Sequence, residues 1–167
     1  MFFSSAKAEL PEMKSISYRG GMITFAIPKH WKEEYEPEGG GTFYEDAADS
    51  GTLRLNVLTF KAPEGKLPPD GYAYFSSQPL GKGERLLKSK NNDGIKISKR
   101  TALEEGTSIN LYTWQIAHTA PPEKFYMASF TWTILTKQSD IPKYQKEIEM
   151  LTEEISKSVF HPDLGKF

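Results

Sequence analysis

Three histidines, His30, His118 and His161, are the side chains best suited to proton transfer or metal ligation in this sequence. They lie far apart, and none has a second histidine at helical ligand spacing or the glutamate of a His-Glu-x-x-His motif. No Gly-x-Ser-x-Gly elbow occurs either, so the common zinc-hydrolase and serine-hydrolase signatures are missing. His30 reads as a loop residue beside a packed tryptophan. Gly39-Gly-Gly41 would cradle a phosphate if it opened a helix, because backbone N–H groups and the helix dipole would converge there. Thr42-Phe-Tyr44 follows instead and reads as a strand, and Gly81-Lys-Gly83 lacks phosphate-loop spacing. Glu45, Asp46 and Asp49 carry oxygens of the kind calcium takes, yet the regular spacing and distal glutamate of an EF-hand are absent. An Asp- and Ser-rich turn uses the same residues for backbone hydrogen bonds. No catalytic residue, metal ligand or cofactor is expected, and the chain is read as non-enzymatic.

Charge offers a different kind of site. The formal net charge is −1, so no global field attracts nucleic acid or an anionic membrane. Between Glu33 and Asp49, however, Glu33, Glu34, Glu36, Glu38, Glu45, Asp46 and Asp49 are accompanied by no base, whereas Lys82, Arg85, Lys88, Lys90, Lys96, Lys99 and Arg100 outnumber Glu84 and Asp93. Complementary patches of this kind steer protein association. Glu33, Glu34, Glu36, Glu38, Lys88, Lys90 and Lys96 are the candidate binding residues. The basic stretch contains no aromatic residue for base stacking, which argues against single-stranded nucleic acid.

These residues need elements to hold them. With 38% hydrophobic and 26% charged residues, the 167-residue chain is expected to form one globular domain over 15–167, preceded by a loose arm at 1–14. The absence of cysteine removes disulfides and thiolate chemistry. No basic and apolar leader or membrane-length apolar run is seen, so a soluble, cytoplasmic protein is expected. Ser15–Arg19 and Met22–Ile27 are predicted to pair through Gly20-Gly21. Pro28, lacking an N–H for the ladder, ends that strand, and Trp31 folds back as a core anchor. Short strands are expected at Gly41–Glu45, Thr52–Lys61, Glu84–Ser89 and Ile95–Leu103. The strongest alternation lies in Thr107–His118 and Phe125–Thr136, which carry Trp114 and Trp132. Apolar positions from Ile141 to Val159 recur at helical spacing, with Asp140 as the expected N-cap. Asp70–Ser77 is expected to form one or two helical turns within the Pro- and Gly-rich connector 62–83. The fold class is therefore α+β: an antiparallel sheet of about six or seven strands covered by a long C-terminal helix, with a short helix in the connector.

The order Phe25-Ala-Ile-Pro-Lys-His-Trp31, Gly40-Gly-Thr-Phe-Tyr-Glu-Asp46 and Gly51-Thr-Leu-Arg-Leu-Asn-Val57 resembles the Mog1/PsbP-like fold, particularly its small bacterial members. Trp132 and the helix after Asp140 resemble that fold's ending. The resemblance implies a scaffold used mostly for binding, and no metal or partner-contact residue can be carried over from it. The expected function is a bacterial protein-interaction domain of accessory, adaptor or immunity type, monomeric or weakly dimeric, that binds neither nucleic acid nor membrane. The alternative is a small-molecule or metal-binding domain, conceivably a weak hydrolase. Its pocket would lie between sheet and connector, near Asp70, Tyr72, Tyr74 and His118.

Overall fold

The computed structural model describes residues 11–164. In chain order the strands begin with β1 (Met13–Tyr18), β2 (Ile23–Pro28), β3 (Lys32–Tyr35), β4 (Gly41–Tyr44) and β5 (Thr52–Lys61). Helix α1 (Gly71–Ser76) precedes β6 (Arg85–Lys88), β7 (Gly94–Glu104), β8 (Thr107–Ala120) and β9 (Lys124–Leu135), and α2 (Pro142–Ser156) precedes β10 (Val159–Phe160). β1 begins at Met13, inside the segment expected to be a loose arm, because Met13 and Lys14 continue the ladder opposite Pro28 and Ile27. The first ten residues of that arm lie outside the described residues.

The strands form two antiparallel sheets rather than one. Seven stand in the order β3-β4-β5-β9-β8-β7-β6, and three more make a sheet β1-β2-β10. The expectation of six or seven strands in all was too small. β3 was hidden because Lys32-Glu-Glu-Tyr35 has no apolar alternation; it is exposed on both sides and needs none. β10 has only two residues, too few to show a period.

One face of the seven-stranded sheet is dry. Phe43, Leu53, Leu55, Ile95, Ile97, Trp114, Ile116, Phe130, Trp132 and Ile134 point into it and meet Ile16, Tyr18, Ile23, Phe25 and Ile27 of the smaller sheet, with Tyr144, Leu151 and Ile155 of α2. Phe25 stands edge-on to both Phe43 and Phe130, at centroid distances of 5.4 and 5.0 Å. Edge-to-face contact is the favoured aromatic geometry and adds to the area these rings bury. Trp114 Nε1 donates to Thr152 Oγ1 at 3.1 Å, which fixes the rotation of α2 over the sheet. Trp31 is also buried in this core, directly after the strand that ends at Pro28. The second layer is therefore half sheet and half helix.

Two local expectations change. The residue flanking the first turn of α2 is Ile141, which makes no side-chain cap bond, with Pro142 at the start of the helix; Asp140 lies one position too early to cap it. At α1 the expected cap is present: Asp70 is extended and its carboxylate accepts from the Ala73 N–H at 2.7 Å.

Candidate functional site

Successive residues of a strand face opposite sides, so the registers assign the other face of the large sheet. One row across it runs Thr42, Arg54, Thr131, Thr113, Ser98. The next runs Asn56, Ser129, Gln115, Lys96, and on the far side lie Thr52, Thr133, Leu111 and Arg100. Among the described residues this face has no second layer over most of its area. One corner is covered, where Phe75 of α1 packs with Ala117 and Phe125, flanked by Leu67, Tyr74, Leu86 and Met127.

What remains open is a field of uncharged hydroxyl and amide groups. Ser98, Thr113, Gln115, Ser129 and Thr131 are half-buried and make no side-chain hydrogen bond among the described residues. Arg54 and Arg100 are exposed and make no ion pair there. Lys96, on the same face, is engaged by Glu84 at 3.8 Å and lies over the Phe75 ring. No acid occupies an outward position of β5, β9 or β8, nor of β7 from Gly94 to Ala102. Beside the α1 corner, Leu58 and Phe60 project from β5 with 57% and 49% of their surface exposed. Phe60 continues an aromatic run through Phe125 to Tyr74.

The acidic segment proposed as a binding surface is built differently from a loop. Glu33 and Glu34 lie in the edge strand β3, and Glu36 and Glu38 lie in the turn to β4, where Glu36 N–H donates to Gly40 O at 2.8 Å. Lys14 reaches Glu33 at 2.7 Å, and Tyr35 donates to the same carboxylate. Those two hydrogen bonds hold Glu33 below the usual carboxylate range, while partial burial and Glu33 push the Tyr35 phenol up. Tyr44 donates to Glu34 at 2.6 Å, which raises its own phenol. The Glu38 carbonyl accepts from Arg19. Glu45 binds Lys143 at 3.0 Å and lies 3.5 Å from His30, and Asp46 pairs with Lys32. Glu33, Glu45 and Asp46 are thus paired with cations and Glu34 with a tyrosine hydroxyl, whereas the carboxylates of Glu36, Glu38 and Asp49 have no such partner among the described residues.

The basic candidates separate. Lys88 covers the Tyr72 ring and Lys96 the Phe75 ring, so both brace α1, whereas Lys90 is exposed in the turn after β6.

The four residues of the alternative pocket do not converge. Asp70 is used as a cap, Tyr72 lies under Lys88, and Tyr74 packs on Phe125. His118 faces the opposite side of the sheet, because its neighbour Ala117 is the residue turned toward α1. There it meets a residue that sequence reasoning passed over. Asp93 Oδ1 lies 2.7 Å from His118 Nδ1, and the imidazole stacks flat on Phe160 at 4.7 Å. Asp93 is 2% exposed, and its Oδ2 has no hydrogen-bond partner among the described residues, as is also true of the buried Ser158 Oγ. His118 makes no hydrogen bond at Nε2 among the described residues. A histidine oriented by a carboxylate is a recognised base arrangement. The signal for it was weak, since Asp93 sits in an Asn-Asn-Asp-Gly turn where aspartate is ordinary.

Among the described residues no group of three or more His, Asp or Glu side chains is placed to hold a metal ion. None of the helices is long and apolar enough to cross a membrane.

No family model matches the chain, and no curated protein does. Solved structures do. A protein of Bacteroides thetaiotaomicron VPI-5482 matches at 20% identity over 92% of this chain and 50% of that one, with a TM-score of 0.61. The chain thus spans half the length of that protein. LpqN of Mycobacterium tuberculosis, described as involved in cell envelope biogenesis, matches at 9% identity over 90% of this chain and 91% of its own, with a TM-score of 0.59. The cyanobacterial PsbP (CyanoP) of Synechocystis sp. PCC 6803 matches at 12% identity and a TM-score of 0.41, covering 95% and 98%. The fold is Mog1/PsbP-like. At these identities the likeness concerns the Mog1/PsbP-like scaffold alone, and function has to be argued from the surfaces described above.

Proposed function

We propose that this chain is a protein-interaction domain that binds through the open face of its seven-stranded sheet. The observation that carries the reading is the pair Leu58 and Phe60, two large apolar side chains standing exposed beside an uncharged polar field. Contiguous exposed apolar groups rimmed by polar residues mark contact surfaces. Interface cores also favour aromatic residues and arginine over lysine and glutamate. The acidic hairpin is assigned to the rim, because it lies at the sheet edge, its Glu33 and Glu34 carboxylates are engaged by Lys14, Tyr35 and Tyr44, and no large apolar pair stands beside its Glu36 and Glu38. The role remains that of a non-enzymatic accessory, adaptor or immunity-type factor in the cytoplasm of a bacterium; since LpqN is tied to the cell envelope, fractionation against envelope markers checks the location.

Site-specific photo-crosslinking in cells tests the surface. A crosslinker at Leu58, Phe60 or Thr113 is expected to yield a discrete adduct, whereas one at Lys146 on α2 is not. Leu58→Asp with Phe60→Asp should abolish the Thr113 adduct. Adducts arising only from Glu34, Glu36 or Glu38 would return the binding role to the acidic hairpin.

A second reading has its own observation, the Asp93–His118 pair with its unpartnered Nε2. It supports a small-molecule or metal-binding role centred on His118, away from the connector. A thermal-shift screen that includes divalent metals checks this reading, because ligands of the folded state raise the melting temperature. A hit that disappears in both His118→Ala and Asp93→Asn would support it, and a hit retained in both would place the ligand elsewhere.

A further inference from the structure

The open face constrains its occupant more tightly than the general reading does. Arg54 stands on β5 and Arg100 on β7, with β9 and β8 between them. Arg54 shares a row with Ser98, and Arg100 is two residues further along the same side of β7. Three interstrand steps of about 4.8 Å set the two backbones roughly 14 Å apart across the sheet, and the offset of one row lengthens this to about 16 Å. Between them lie Thr131, Thr113 and Thr133, with Ser129 and Gln115 alongside; no acid lies among these, and Glu34, in the row of Arg54, stands beyond Thr42 and is held by Tyr44.

We propose that this face receives an extended acidic polypeptide segment, laid across the strands, whose carboxylates at positions i and i+4 meet Arg54 and Arg100. The proposal rests on the interaction reading above and specifies its partner chemistry. Side chains of an extended segment that face one way recur every second residue, and a rise of about 3.3 Å per residue separates positions i and i+4 by roughly 13 Å. That matches the span once the arginine side chains reach inward. Each guanidinium presents a planar fork suited to a carboxylate. The hydroxyls and amides between them both donate and accept, as a peptide backbone crossing the floor requires. Lys96 is held by Glu84, so recognition falls on the two arginines.

Two-dimensional NMR of the labelled protein tests this with synthetic peptides as probes. One carries glutamates four residues apart on a Thr/Ser background; the others have lysine for glutamate, or the glutamates adjacent. The spaced acidic peptide is expected to shift the amides of Thr113, Gln115, Ser129 and Thr131 and to bind less well as salt rises. Binding should weaken about tenfold in Arg54→Glu/Arg100→Glu, and measurably in Arg54→Gln/Arg100→Gln. The control Lys137→Glu/Lys146→Glu should bind as the parent does, and retained spectral dispersion verifies that each variant folds. Equal binding of the lysine peptide, shifts that map elsewhere, or indifference to the arginine variants would overturn the proposal. So would a single-stranded oligonucleotide that shifts the same amides more strongly. Those results leave the broader interaction reading intact as long as the Leu58 and Phe60 adducts persist, whereas loss of the adducts removes the reading itself.

Discussion

At the scale of single residues, a close approach of backbone to backbone under α1 depends on two glycines. A Cβ on Gly71 would stand 1.7 Å from the carbonyl oxygen of Ala117, and one on Gly94 would stand 2.5 Å from the Gly71 oxygen. Both obstacles are backbone and cannot rotate away. Gly71→Ala should therefore lift α1 from β7 and β8 and destabilise the fold by about 1–3 kcal/mol, a typical overpacking cost measurable by urea unfolding. Electrostatics at this scale centres on Glu147 of α2. Burial pushes its pKa up to about 7, Lys143 draws it down, and Glu45 pushes it up again. A carboxyl whose folded pKa exceeds its unfolded value binds more protons when folded, so stability should fall as pH rises from about 4.5 to about 7. Glu147→Gln is expected to remove that fall and to raise the melting temperature at pH 8 relative to the parent. Melting curves at pH 5 and pH 8 would reveal it, and an equal effect at both would sink the assignment.

At the scale of elements, α2 closes the core and β3 manages an edge. Leu151 and Ile155 are fully buried over the sheet, and Thr152 between them accepts from Trp114. Truncating Leu151 to alanine should cost about 2–5 kcal/mol, the usual range for a buried leucine, and expose tryptophan to quencher as α2 loosens. The two edges of the seven-stranded sheet, β3 and β6, are each four residues long and bear charges, as edge strands do when they must not pair with other chains. Glu33 and Glu34 thus have a structural use that requires no partner. Replacing both with threonine should leave the fold intact but promote self-association, seen as a concentration-dependent rise in sedimentation coefficient.

At the scale of the whole molecule, the decisive feature is asymmetry between the faces of one sheet. One face is sealed by the β1-β2-β10 sheet and α2, while among the described residues the other is sealed only where α1 reaches. The guanidinium groups of Arg54 and Arg100 make no ion pair among the described residues, and the acid in the row of Arg54, Glu34, sits at the sheet edge beyond Thr42 and is held by Tyr44. A sheet with one face dry suits a binding platform, because its exposed side chains are positioned by the packing behind them and little order remains to be gained on binding.

Much of this architecture was legible in the chain itself. Alternation in Thr107–His118 and Phe125–Thr136, the stop at Pro28 and the helical spacing after Ile141 each encode an element locally, because strand and helix periods follow from backbone geometry. The uncharged polar positions Thr113, Gln115, Ser129 and Thr131 were readable as one face of two strands. That no described element covers them was not, since covering is decided by where distant segments land. The same holds for Asp93 and His118, brought to 2.7 Å by the pairing of Gly94 with Ala117. It holds too for Glu33 and Lys14, joined across the gap between two sheets. Local sequence determined which elements form and which way their side chains alternate. Tertiary structure alone decided which charges are answered and which face stays open, because both depend on contacts between residues that periodicity cannot relate.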